Sequence, residues 1–171
     1  MEEMEAEFVT PDGIRVSVRP LRHSDEEGWI EFVNSLSPDS SYHRFFEVMS
    51  KVSHREAGHY LDIDQMGRMA LVAAVHDANG DKIVGIARYE LVPNTEMAEF
   101  AIVIADDMQD KGIGMFLLRR LAEFAESKGI KEFVAEVLQD NERMMEVFRE
   151  SGLRMETKRD SGTWIVKLHF R

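Results

Sequence analysis

The sequence predicts a mixed α/β (α+β) domain: a central, mostly antiparallel sheet of about six to seven strands, flanked by helices. Three observations carry this. Near Met69 the apolar pattern changes from helical spacing to strand-length runs. Residues 70–105 then hold three extended segments separated by tight-turn signals, which reads as an antiparallel meander. Finally, the strand–helix–strand stretch 97–138 implies a parallel crossover. The element order is β-α-α-α-β-β-β-α-β-α-β-β.

Each element has a local reason. Ile14 to Arg19 alternate apolar and polar, as a half-buried strand does, and Pro20 stops it. Ser24 and Glu27 have capping-box spacing ahead of Trp29, Ile30, Val33 and Leu36, which recur at helical intervals. Ser37-Pro38 opens a second short helix with Tyr42, Phe45 and Phe46 as its apolar stripe. Ser53 to Glu56 caps a third piece carrying Ala57, Tyr60 and Leu61. Met69–Val75 is a strand, Asn79-Gly80 a turn, and Ile83–Val92 the returning strand. Met97–Ala105 is apolar on both faces late in its length and is expected to be central. After Gly112-Ile-Gly114 a helix runs to about Lys128, with Ile113, Phe116, Leu117, Leu121 and Phe124 as its buried side and Gly129 as its stop. Phe133–Leu138 is a strand, Asn141 to about Ser151 a helix, and 154–158 with 163–170 a closing hairpin around Ser161-Gly162.

Composition narrows the function. A chain of 171 residues is one domain's length at ~100–200 residues each, and it can bury a core without staples. The absence of Cys excludes a disulfide framework, a thiolate metal site and a cysteine nucleophile. The 21 basic against 32 acidic residues give a net charge of −11. No basic cluster offers a nucleic-acid footprint; the charge suits cationic partners such as amines or lysine-bearing surfaces, or simply solubility. Met1 to Glu7 lacks a signal-peptide pattern, and no apolar run approaches ~18 residues, so a soluble, cytoplasmic domain is expected, with no membrane partner. Residues 1–13 read as an acidic N-terminal tail and 14–171 as the domain.

The chemistry concentrates in Gln109-Asp110-Lys111-Gly112-Ile113-Gly114, between a buried strand and a helix. Glycines there permit close backbone approach, and the first turn of a helix presents unpaired N–H groups with a positive dipole end. Such a place holds an anion, a diphosphate for example, with Lys111 and Gln109 as possible added donors. The alternative is that Gly112 only breaks the loop and Gly114 only eases packing. The dinucleotide fingerprint is excluded, because its third glycine and its acid are missing.

The pattern resembles the GNAT superfamily of acetyl-coenzyme A-dependent N-acetyltransferases. Gln109-x-x-Gly112-x-Gly114 is similar to the family's Arg/Gln-x-x-Gly-x-Gly/Ala signature. Asn141 to Leu153 resembles its second motif, Asn-x-x-Ala/Met…Tyr…Gly-Phe. Ser37 to Phe46 and Glu96 to Ala101 look like segments of Pat-type protein lysine acetyltransferases. In that group the domain is often fused to a cyclic-nucleotide module or an acyl-CoA synthetase-like region, for which this chain has no room.

The resemblance implies a GNAT fold and acetyl-CoA as cosubstrate, without a metal. Backbone groups of Ile102, Val103 and Ile104 would hold the acetyl carbonyl and pantetheine arm. Gln109 to Met115 would hold the diphosphate, and Asn141 the pantetheine side. In the family, the strands flanking the site splay to admit the donor.

A lysine amine, pKa about 10.4, must lose a proton before it attacks. Glu99, in an otherwise apolar strand and at the catalytic Glu position of Pat-type enzymes, is the expected base. Burial there would raise its pKa. Glu136, at the position that ribosomal-protein alanine acetyltransferases use, is the rival. Phe148 replaces the Tyr that protonates the leaving thiolate in many relatives. The expected reaction is direct attack in a ternary complex by a protein lysine. A small-molecule amine acceptor, or a catalytically weak acyl-CoA-binding module, are the alternatives. His54 and His59 are not spaced as a helical metal pair, and Asp62 and Asp64 lack the other ligands of a calcium loop.

Overall fold

The structure is a computed structural model that describes residues 5–37, 61, 64, 67–78 and 80–170. The second and third expected helices, with Tyr42, Arg44, Phe45, Phe46, His54 and His59, lie outside the described residues apart from Leu61, which is helical and buried. One eight-stranded sheet has the order β1-β2-β3-β4-β5-β6-β8-β7. Its strands are β1 (Ala6–Val9), β2 (Arg15–Pro20), β3 (Arg68–Asp77), β4 (Gly80–Leu91), β5 (Met97–Ile104), β6 (Glu132–Leu138), β7 (Arg154–Asp160) and β8 (Thr163–His169). All neighbours are antiparallel except β5 and β6. The described helices are α1 (Glu26–Ser35), α2 (Ile113–Ser127) and α3 (Glu142–Glu150), with short 3-10 turns at His23–Asp25 and Asp106–Met108. No helix among the described residues is long and apolar enough to cross a membrane.

The sheet has one strand more than the six or seven expected, and the reason lies in the stretch read as a tail. Ala6–Val9 pairs with Arg15–Val18 as an edge strand. Its charged residues hid an alternation in which Phe8 turns inward: the Phe8 ring lies 5.0 Å from that of Phe116 on α2.

The two faces of the sheet are covered separately. α2 packs where β4 and β5 present Gly85, Ile102 and Ile104; a Cβ on Gly85 would stand 3.5 Å from Leu117. Beside it, Phe133 packs against Phe100 at 4.9 Å, Tyr89 at 5.7 Å and Phe170 at 4.8 Å. α1 lies on the other face, Gly28 against Ile83, with Trp29, Phe32 and Val33 buried. A bulge between Ala73 and Ala74 shifts the β3–β4 register and turns Ile83 to that face.

The expected Ser24–Glu27 box does not form. Asp25 takes that role because a stronger partner is at hand: its carboxylate accepts two 2.8 Å bonds from Arg19 and one of 2.8 Å from the Arg22 amide. Burial alone would push the Asp25 pKa up, but these donors outweigh it and hold the carboxyl below the usual carboxylate range. A lowered folded-state pKa means that the pair's stability is complete above the ordinary Asp value. It is lost as pH falls through that value toward the lowered one. Asp25→Asn is therefore expected to cost about 3–5 kcal/mol at neutral pH, the range for breaking a buried pair. It should also flatten the acid side of the stability profile, measured by urea unfolding at stepped pH. A loss that stays the same down to the most acid pH would show that the carboxylate is not the cause.

Candidate active site

β5 and β6 pair over only three positions: Met97 with Glu132, Ala98 with Phe133 and Glu99 with Val134. Beyond these β5 stays on β4 to Ile104, while β6 stays on β8 to Leu138, so the two strands part. Peptide groups alternate sides along β5. Val92 N donates to Met97 O and Ala105 N to Val84 O, which places the odd-numbered groups on the β4 side. The alternation turns the peptide groups of Ile102 toward β6, into the gap. The Val103 groups, expected to face the gap, face β4 instead.

A cleft of about 490 Å³ opens at the parting. Its lining includes Ile102, Val103, Ile104, Gln109, Asp110, Gly112, Ile113, Gly114, Met115 and Asn141, so all the donor-binding residues expected from sequence except Lys111 come together here. A small hollow of about 40 Å³ sits between the strands and shares Ile102, Asn141 and Met144 with the cleft.

The loop before α2 is built as an anion cradle. Gly112 is left-handed (φ 87°) and caps the helix without a side-chain bond. The first helical hydrogen bond there is Phe116 N to Gly112 O, so the amides of Ile113, Gly114 and Met115 precede it. A Cβ at Gly112 would stand 3.1 Å from Phe8, whereas at Gly114 it would meet neighbours at 3.6–3.9 Å. Only Gly112 is thus required by geometry. This donor set, bare amides at a positive dipole end with no side chain in the way, fits a diphosphate.

The two side chains expected to add donors do other work. Lys111 Nζ pairs with Asp12 at 2.6 Å. That ammonium, with the Thr10 hydroxyl, holds the Asp12 carboxyl below its usual range. Gln109 Nε2 donates to Ile104 O at 3.0 Å, and its Oε1 accepts from Arg143 Nη1. Asn141 lines the cleft while its side chain accepts from Met144 N at 3.2 Å, capping α3. Arg143 is not among the residues that the sequence motifs single out. Its signal was a basic residue in the first turn of the helix that follows Asn141.

The two carboxylates both differ from a buried base. Glu99 is exposed, not buried, because it shares a sheet face with Glu90, its partner on β4, rather than with the Phe100 side under α2 and α3. It stands at the last β5–β6 pair, where the strands part. Glu136 shares that face two positions further along β6, is exposed, and lines the small hollow. Phe148 is buried, lines the same hollow and packs edge-on against Phe100 at 6.2 Å.

A parallel pair that parts beside a glycine-started helix leaves an open slot between two strands that ends on bare backbone amides. The chain belongs to the acetyltransferase (GNAT) family, whose pattern matches residues 29–153. It is 32% identical to an acetyltransferase of Pseudomonas aeruginosa over 91% of this chain and 83% of that one. It is 29% identical to the acetyltransferase Pat of Mycolicibacterium smegmatis over 86% of this chain, and it spans 45% of that longer protein. Among solved structures it is similar to the GNAT domain of S. lividans PAT, with TM-score 0.90 and 27% identity over 99% of both chains. It also shares the fold of the PaiA N-acetyltransferase of Thermoplasma acidophilum, solved in complex with coenzyme A. The TM-score there is 0.70 and the identity 19%, over 91% of this chain and 99% of that one.

Gly112→Ala is expected to destabilise the protein by about 1–2 kcal/mol, since any L side chain is strained at this φ and meets Phe8. Gly114→Ala, helical and uncrowded, should be neutral or mildly stabilising. Chemical denaturation of both variants checks this, and equal effects would contradict the loop geometry.

Proposed function

We propose that this chain transfers the acetyl group of acetyl-CoA to a primary amine, and that the acceptor is a lysine side chain of a protein. The observation that carries the reading is the parting of β5 from β6 beside the bare first turn of α2. The gap accepts a narrow arm along Ile102, and the turn accepts a diphosphate at its end. The coenzyme A found in the Thermoplasma relative, and family membership, support the choice of donor. The lysine reading is supported by the likeness of Glu96 to Ala101 to Pat-type enzymes and by the S. lividans PAT domain.

In this reading the acceptor arrives protonated and gives up its proton to a carboxylate at the parting, directly or through water. The neutral nitrogen then bonds to the acetyl carbon, the sulfur leaves with the electron pair of the broken bond, and the nitrogen gives its second proton to water or to the departing sulfur, leaving a neutral amide. Glu99, at the apex of the opening, is the proposed base. Glu136 is the second candidate, because it lines the hollow between the strands. Phe148 has no proton to give, so the sulfur leaves as thiolate, acceptable for a thiol of pKa about 8.5, or takes a proton from water. The facing Glu90 and Glu99 favour a cationic acceptor.

Glu99→Gln is expected to lower turnover about 100-fold, in the range of general-base catalysis, with coenzyme A affinity unchanged. If turnover holds in Glu99→Gln and falls in Glu136→Gln, the base is Glu136. Gly112→Asp should weaken coenzyme A binding about ten-fold or more, by placing a carboxylate where a phosphate must lie. Titration calorimetry reads this, and normal affinity would remove the proposed cradle. Mass spectrometry of candidate acceptor proteins after incubation with acetyl-CoA should find acetyl-lysine; acetylated free amines alone would make the acceptor a small molecule.

A further inference from the structure

The cleft poses an electrostatic problem. Asp110, Asp140, Glu142, Glu146 and Glu150 line it, and among the described residues Arg143 is the one basic residue in its lining. A polyanionic donor entering it meets these five carboxylates in a chain of net charge −11. The amides at the start of α2 offer only partial charge, which fades within a turn. Lys111 is engaged by Asp12.

Arg143 reaches from the first turn of α3 to the loop before Gly112. Its Nε donates to Asp110 Oδ1 at 3.2 Å and its Nη1 to Gln109 Oε1. Gln109 is itself fixed by the Nε2 bond to Ile104 O. A guanidinium only donates and a peptide carbonyl only accepts, so the amide between them has one possible orientation. The end of β5 thus fixes the guanidinium beside the loop that leads into Gly112, in the cleft that the helix start also lines. Its bond to Asp110 is of the weak, exchangeable kind, because the two side chains are 54% and 69% exposed. A phosphate offers the same fork more charge and more acceptor oxygens.

We propose that Arg143 is a donor-binding residue that exchanges Asp110 for a phosphate oxygen while Gln109 holds it in place, and that Asp110 sets donor affinity by competing for the guanidinium. This rests on the acetyl-CoA reading above. The opposite signs expected for the two partners separate it from a merely structural bridge.

Titration calorimetry with coenzyme A at several salt concentrations tests it on the full chain. Arg143→Gln should weaken binding about ten-fold and flatten its salt dependence, as expected when one charged contact is lost. Arg143→Lys, which keeps the charge but loses the fork, should fall between the two. Asp110→Asn, tolerated at φ 61°, should tighten binding about three-fold by releasing an exposed competitor. If Arg143→Gln binds as wild type does, or if Asp110→Asn weakens binding as Arg143→Gln does, the inference is wrong while the donor reading stands. If the wild-type chain shows no affinity for coenzyme A, both fail.

Discussion

The arrangement turns on one constraint: β5 cannot stay paired with both of its neighbours. It follows β4 to the end of its length, and β6 follows β8, so their common ladder stops after three pairs. An interrupted ladder normally leaves costly unpaired peptide groups. Here the gap is flanked by the ends of two helices and opens into a cleft, so those groups face open space. The apolar cluster of Phe100, Phe133 and Phe148 packs the closed end of the gap. The opening is thus held by packing on one side and by sheet pairing on the other.

The loop that completes the cleft is braced from far along the chain. Phe8 closes on Gly112 and Phe116, and Asp12 holds Lys111. Both braces come from the first hairpin, β1–β2. The first strand is therefore a support for the anion cradle as well as an edge of the sheet, and the need for glycine at 112 comes partly from it.

Acidic side chains border the whole opening, and the donors are concentrated at the helix start. Glu90, Glu99 and Glu136 share the face beside the parting, while the helix start, with its bare amides and Arg143, lies at the other end. Glu99 and Glu136 are both exposed on that face, so neither carboxylate sits in an enclosed pocket.

Much of this was legible in the sequence. The meander, the crossover, the Gly112 loop and the helix start after Asn141 are local matters of periodicity, turn chemistry and capping, and these act within a few residues. Gly112 and Asn141 could be named because their backbone roles depend on their own residue types. What stayed hidden depends on contacts across tens of residues. Phe8 looked like part of a solvated tail until its partner on α2 was known. Lys111 looked like a phosphate donor until Asp12, 99 residues away, was found to hold it. Arg143 carries no local signal beyond its charge, and the face that Glu99 occupies is set by register with β4 and β6. The sequence determined which segments fold and where backbone can bind an anion, because propensity and glycine geometry are local. Tertiary structure alone decided which charges reach the cleft, because that requires distant strands and helices to meet.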